Sequence, residues 1–121
     1  MKPTVLLAIA LIPAAAGCGG EPSPEDQVRA AARAGTEALI SDHPERSCNY
    51  VMDRQKCVGT VVLARGMDMA AVTGLPDDWE KRIERADVKV SGTAATISDF
   101  NGDGKPGRYV LKDGKWLADN R

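Results

Sequence analysis

The C-terminal part of the chain constrains the fold most, because its apolar residues alternate with a period of two. Val88 and Val90 alternate with polar neighbours, as is typical of strands with one buried face. The apolar runs lie at 87–90, 93–98 and 108–112, with a last one after residue 114. Asp113-Gly114 is a hairpin signal whose two central positions both need a positive φ. Short connections make neighbouring strands pair, so the sequence predicts a four-stranded antiparallel meander.

Helical signals come before these strands. Ser23 suits the N-cap of a first helix and Pro24 its first position, with an end near Ser41. The apolar stripe of this helix has helical spacing and consists of Val28, Ala31, Ala32, Gly35 and Leu39. Two further helices are predicted at 44–52 and 77–85, and Trp79 and Ile83 share a face of the latter. The run 58–63 suits a buried strand as well as a helix, and we assign it to a helix. We predict a polar turn at 53–56 and a loop at 66–75.

Helices followed by an antiparallel sheet predict an α+β fold. The sheet alone would expose Tyr109, Leu111 or Trp116 on one of its sides. The alanine-rich stripe of the first helix is the natural cover for that side. We therefore expect N-terminal helices packed on the four-stranded meander.

The first 18 residues have the features of an export signal. One basic residue, Lys2, precedes an apolar run from Val5 to Ala16, which is shorter than the roughly 20 residues of a membrane span. The stretch Ala15-Ala16-Gly17-Cys18 resembles a bacterial lipobox. The resemblance implies cleavage before Cys18, attachment of a diacylglyceryl group (palmitate) to its sulfur, and anchoring on the extracytoplasmic face of the bacterial membrane. The alternative is an ordinary signal peptide cleaved near Ala16.

Cleavage at that point divides the chain into three parts. These are a lipoprotein signal peptide at 1–17, a lipidated tether at 18–22 and a single α+β domain at 23–121, and 104 residues remain after cleavage. The full chain has 16 Lys and Arg against 17 Asp and Glu, without a basic cluster. Nothing in this balance favours nucleic acid or an anionic membrane surface as a partner, and the lipid anchor is the expected link to the membrane.

The lipobox interpretation also predicts the state of the other two cysteines. With Cys18 lipidated, Cys48 and Cys57 remain, and an even pair in an exported chain predicts a disulfide. The alternative is a zinc site with His43 as a third ligand. That alternative needs reduced thiols in an oxidising compartment, and its spacing matches no common zinc motif.

The stretch 99–105, Asp-Phe-Asn-Gly-Asp-Gly-Lys, is the best local candidate for a metal site. It resembles the calcium loops of extracellular integrin-like repeats, which implies ligand oxygens from Asp99, Asn101 and Asp103 and the backbone carbonyl of Lys105. No acid stands at Gly107, where those repeats have one. The alternative is a wide turn in which Asn, Asp and Gly accept left-handed backbone angles.

Residues for catalysis are few. His43, the only histidine, precedes a proline and has no nucleophile beside it in a recognisable motif. Adjacent acids Asp77 and Asp78 suit a helix start better than acid–base chemistry. Trp79, Tyr109 and Trp116 are candidates to line a ligand pocket, with service in the core as the alternative. We expect no enzymatic activity and no cofactor, unless calcium binds.

Several structural features together resemble one family. The capped helix, the paired cysteines, the Val-x-Val and Ala-Thr-Ile strands and the closing Asp-Gly-Lys-Trp hairpin resemble small bacterial lipoproteins with a nuclear-transport-factor-like, or cystatin-like, domain. The resemblance covers most of 23–119 and implies a cone with a pocket between helix and sheet. It implies a binding or accessory role, with a small apolar ligand in the pocket or an envelope protein at the sheet face. Alternatives are a structural calcium-binding module and a small hydrolase or isomerase of the same fold.

Overall fold

The computed structural model describes residues 21–121, so the predicted signal peptide and Cys18 lie outside the described residues. Five helical segments come before four strands. The helices are α1 (Pro24–Leu39), a 3-10 helix (Pro44–Tyr50), α2 (Arg54–Leu63), α3 (Met69–Thr73) and α4 (Trp79–Arg85). The strands are β1 (Val88–Ser91), β2 (Ala94–Ile97), β3 (Gly107–Lys112) and β4 (Lys115–Ala118). They form one antiparallel sheet in the order β1-β2-β3-β4, which confirms the predicted α+β fold and meander.

Helix α1 begins where the sequence predicts. The Ser23 hydroxyl accepts a hydrogen bond from the Asp26 amide at 3.1 Å, which satisfies one of the N–H groups left unpaired in a first helical turn. Val28 and Ala32 on the predicted stripe are buried against the sheet. The alanine-rich helix therefore covers the inner face of the sheet, as expected.

Residues 53–56 do not form the predicted polar turn. The Asp53 carboxylate accepts a hydrogen bond from the Lys56 amide at 3.0 Å and caps α2, which begins at Arg54. The turn prediction was wrong because an N-cap aspartate and a turn aspartate look alike in sequence. The assignment of 58–63 to helix is confirmed.

The predicted loop at 66–75 contains α3. The Asp68 carboxylate caps this helix by accepting from the amides of Ala70 and Ala71, and Gly74 ends it with a φ of 68°. The loop prediction was wrong because a helix of little more than one turn is too short to show helical periodicity.

Two other helices differ in their details. The helix predicted at 44–52 is a 3-10 helix that ends at Tyr50. Helix α4 begins at Trp79, two residues later than predicted. Asp78 does not cap it through its side chain, but accepts a hydrogen bond from Arg82 Nε at 2.8 Å.

The last hairpin forms as predicted. Asp113 and Gly114 have φ angles of 52° and 77°, and this two-residue turn places Lys112 opposite Lys115. The hairpin makes β4 an edge strand of the sheet.

One core joins the helices to the sheet. Val28, Ile83 and Ile97 are completely buried at its centre. The other buried members of this core are Ala32, Trp79, Ala86, Ala95, Phe100, Tyr109 and Trp116. Within residues 21–121, no helix combines the length and the apolar character that crossing a membrane requires.

Candidate functional site

An apolar concavity of about 430 Å³, open to solvent, lies between α1, α2, α3 and the sheet, and we call it the α1–α2 cavity. Leu39, Val61 and Met69 supply its apolar side chains, one from each helix. The other lining residues are Ala32, Gly35, Thr36, Ser47, Val51, Lys56, Cys57, Thr60, Thr73, Tyr109, Ala118 and Asn120. The volume is within the range of small-molecule sites, which are mostly apolar with a few polar groups.

Helix α1 contributes two small residues, Ala32 and Gly35, to the lining of this space. Gly35 approaches Tyr50 closely, since a Cβ at Gly35 would lie 3.4 Å from the Cβ of Tyr50. Ala32 is buried beside the sheet. Larger side chains at these two positions would fill the space that the helices leave.

Tyr109 is a buried residue of the cavity wall that carries a hydroxyl, as does Ser47. The Tyr109 side chain belongs to the core, and its hydroxyl makes no hydrogen bond with any residue between 21 and 121. Burial raises the pKa of Tyr109 to about 12. The hydroxyl therefore stays protonated at neutral pH and can donate a hydrogen bond to a ligand.

The opposite end of the cavity is polar and tied to the C-terminal residues. The Asn120 side chain accepts a hydrogen bond from the Asp53 amide at 2.7 Å and donates one to the Asp53 carbonyl at 2.9 Å. Lys56 Nζ donates to the Asn120 carbonyl at 2.8 Å. These bonds hold the start of α2 against the end of the sheet and place one cation at the cavity.

The three aromatic residues predicted to line a pocket all lie in the core. Trp79, Tyr109 and Trp116 are each 6–7% exposed and belong to one cluster of buried residues. Tyr109 also lines the α1–α2 cavity, whose lining does not include the two tryptophans. Core side chains fill the space directly between α1 and the sheet, and the cavity lies to one side, under α2 and α3.

The predicted disulfide is present. Cys48 and Cys57 are bonded with their Cα atoms 5.5 Å apart, so the 3-10 helix is linked covalently to α2. Both thiols are used in this bond, so the zinc alternative with His43 has lost its two sulfur ligands. His43 itself is exposed, with Nδ1 3.9 Å from a Glu45 carboxylate oxygen.

The Asp99 loop folds as a series of side-chain-to-backbone turns. The Asp99 carboxylate accepts three hydrogen bonds, from the amides of Asn101, Gly102 and Gly104, at 2.8–3.1 Å. The amide of Lys105 donates to Asp103 at 2.8 Å, and the amide of Asp103 donates to Asn101 at 3.2 Å. Within residues 21–121 no three His, Cys, Asp or Glu side chains are placed to hold a metal ion. The predicted calcium ligands also include the Asn101 side chain and a backbone carbonyl, which are outside these four residue types. Calcium binding at the Asp99 loop therefore stays a prediction.

Two carboxyl groups have a clearly lowered pKa, those of exposed Asp78 and half-buried Asp119, and each is paired with an arginine. A hydrogen bond from Arg121 is the main cause that lowers the pKa of Asp119 to about 2. The hydrogen bond from Arg82 likewise lowers the pKa of Asp78. In the described part of the chain, Ser47 is the buried polar residue, and no carboxylate is buried.

Sequence reasoning missed most residues of the cavity. Of the three side chains that form its apolar wall, only Leu39 stands out in a periodic pattern, while Val61 and Met69 come from segments too short to show one. Comparison with protein-family models, with curated proteins and with solved structures found no match.

Proposed function

We propose that this protein is a non-enzymatic, lipid-anchored binding protein of the bacterial cell envelope, and that the α1–α2 cavity holds a small apolar ligand. The observation that carries the binding role is the cavity itself. It combines an apolar wall of Leu39, Val61 and Met69 with the unpaired hydroxyl of Tyr109. An apolar wall with few polar groups is the arrangement that small-molecule sites share.

The apolar wall sets the chemical class of the ligand. Burial of apolar ligand surface against these side chains would stabilise the complex by about 25 cal/mol per Å². Tyr109 would orient the ligand by donating a hydrogen bond to an acceptor group. The ligand is therefore mainly apolar and carries at least one hydrogen-bond acceptor.

Binding of a neutral fluorescent probe with a carbonyl acceptor, such as 6-propionyl-2-(dimethylamino)naphthalene, tests this role. We expect saturable enhancement of probe fluorescence by the purified protein, because the probe leaves water for the cavity. Thr60→Trp would place a large side chain in the cavity lining and is expected to weaken binding at least tenfold. The matched control is Gln55→Trp, an exposed α2 position outside the cavity lining, which should bind like the wild type. Equal loss in both variants, or no saturable binding, would contradict the proposed cavity site.

The extracytoplasmic location is supported by two features. The sequence 15–18 resembles a lipobox, and the Cys48–Cys57 disulfide suits an oxidising compartment. Helix α1 begins at Pro24, so the tether of 18–22 and the cap Ser23 separate the lipidated cysteine from the folded helix. A diacylglyceryl group supplies two acyl chains, which are enough for stable anchoring.

Labelling with radioactive palmitate tests the anchor. We expect the wild type to incorporate label and to sediment with membranes, and Cys18→Ser to lose both properties. Cys48→Ser controls for the loss of a cysteine and should keep the label. Wild-type protein that is exported without label would favour the ordinary signal peptide cleaved near Ala16.

A further inference from the structure

A second concavity lies along the edge of the sheet, and we call it the β4 groove. It has a volume of about 920 Å³ and separates β4 from the exposed side of α1 and from the end of the 3-10 helix. Its lining consists of Gln27, Ala30, Ala31, Cys48, Asn49, Tyr50, Val51, Arg54 and residues 114–117. The groove is therefore bounded on one side by an edge strand and on the other by helical segments.

The backbone of β4 has hydrogen-bonding groups that point into this groove. The Asp119 amide donates to the Arg108 carbonyl at 2.8 Å, which makes these two residues a hydrogen-bonded pair of the β3–β4 ladder. Hydrogen-bonded and non-hydrogen-bonded pairs alternate in an antiparallel ladder. Trp116 and Ala118 therefore direct their amide and carbonyl groups away from β3, toward the edge.

Part of this edge already pairs with another segment. The Ala118 carbonyl accepts a hydrogen bond from the Met52 amide at 2.8 Å, and Val51 forms a parallel bridge with Ala118. Within residues 21–121 the outward groups of Trp116 have no such backbone partner. The edge is thus covered at one end and open at Trp116, where the groove lies.

The charged side chains of the groove have one sign. Arg54 and Lys115 line it, and no Asp or Glu does. Neither cation forms an ion pair in the described part of the chain. Two unneutralised cations beside an open strand edge favour an anionic ligand with an extended backbone.

We propose that the β4 groove binds an extended acidic segment of a partner protein, which adds to the sheet as a further strand beside β4. The main chain of the segment pairs with the amide and carbonyl of Trp116, and its carboxylates face Arg54 and Lys115. A second copy of this chain fits less well, because a two-fold contact would bring two grooves together that each carry Arg54 and Lys115 and no acid. Like charges that face each other destabilise such a contact.

Three short synthetic peptides of matched length test the inference with the full-length protein, purified in mild detergent. One alternates threonine and valine with glutamate, the second has lysine in place of glutamate, and the third is the acidic peptide with alternate amides N-methylated. We expect sub-millimolar binding of the acidic peptide in fluorescence polarisation, weakened by added salt. The lysine peptide should bind at least tenfold more weakly because of its charge, and the methylated peptide because it cannot form the strand hydrogen bonds.

Charge reversal in the protein gives the matched comparison. The double variant Arg54→Glu and Lys115→Glu should bind the acidic peptide at least tenfold more weakly than the wild type. Lys89→Glu reverses a charge on β1, at the opposite edge of the sheet and outside the groove lining, and should change the affinity less than threefold.

Four results would overturn the inference. They are absence of acidic-peptide binding, equal binding of the methylated peptide, equal binding of the lysine peptide, and equal loss of affinity in Lys89→Glu and the double variant. A dimeric mass in light scattering that the double variant changes would assign the groove to a second copy instead. Probe binding in the α1–α2 cavity is measured separately, so either site can fail alone.

Discussion

Replacing Tyr109 with phenylalanine should make the stability of the protein less sensitive to alkaline pH. Burial raises the pKa of Tyr109 from 10.0 to about 12 in the folded protein. The folded state then keeps the phenolic proton at a pH at which the unfolded chain has released it. This contribution to stability is fully present below pH ~10 and is lost as the pH rises from ~10 to ~12. At about 1.4 kcal/mol per pH unit, the wild type should lose about 2–3 kcal/mol more than Tyr109→Phe over that interval.

Urea unfolding followed by circular dichroism, from pH ~8 to pH ~11, measures this difference, and about half of it, about 1.4 kcal/mol, should be present at pH ~11. Near neutral pH the two proteins should differ by no more than about 1 kcal/mol, because the lost hydroxyl has no hydrogen-bond partner within residues 21–121. Tyr50→Phe, at a half-buried tyrosine, controls for the removal of a hydroxyl. Parallel loss of stability in the wild type and Tyr109→Phe would refute the reasoning that burial displaces this pKa.

Three other perturbations test the core, the disulfide and the Asp99 loop. Ile83→Ala should lower the free energy of unfolding by about 2–5 kcal/mol, because Ile83 is completely buried. Val62→Ala, at a half-exposed position, should lower it by less than ~1 kcal/mol. Similar losses for the two variants in urea unfolding would contradict the assigned core. Replacing both Cys48 and Cys57 with alanine should cost about 2–3 kcal/mol through loss of loop closure, and reductant should destabilise the wild type but not this variant. Asp99→Ala removes the acceptor of three amide hydrogen bonds and should cost about 1–2 kcal/mol, more than Asp103→Ala, which removes one. If calcium also binds, millimolar calcium should raise the Tm of the wild type but not of Asp99→Ala, and no shift in the wild type would leave the loop as a turn.

Local chemistry was sufficient to predict the sheet. The two-residue turn at Asp113-Gly114 needs a positive φ at both positions, which these residue types accept. A turn of this geometry makes the flanking strands β3 and β4 pair. Val88 and Val90 alternate with polar residues, and this alternation alone identifies the inner face of β1. Both signals depend only on residues that are adjacent in the sequence, so they can be recognised without the tertiary structure.

The short helices were harder to predict. The caps Asp53 and Asp68 begin helices whose apolar residues are too few to show a period. Helix α2 packs on the 3-10 helix, to which the Cys48–Cys57 disulfide also links it. Tertiary contacts commonly decide the state of segments with weak local preference.

The candidate sites divide in the same way. The pairing of Cys48 with Cys57 could be predicted from the number of cysteines and the expected compartment. The Asp99 loop could be recognised as a candidate site because its residues are contiguous in the sequence. The α1–α2 cavity could not be predicted, because Leu39, Val61, Met69 and Tyr109 come from four elements and only packing brings them together. The β4 groove likewise depends on where α1 passes the edge of the sheet.

The sequence by itself determined the order of the four strands, the capped start of α1, the meander and the disulfide, since each of these depends on local spacing or on composition. The tertiary structure decided that core side chains fill the space between α1 and the sheet and that the concavities lie to either side of it. The physical reason is volume. Trp79, Tyr109 and Trp116 fill the centre of a small core, and the smaller residues Ala32 and Gly35 leave room beside it.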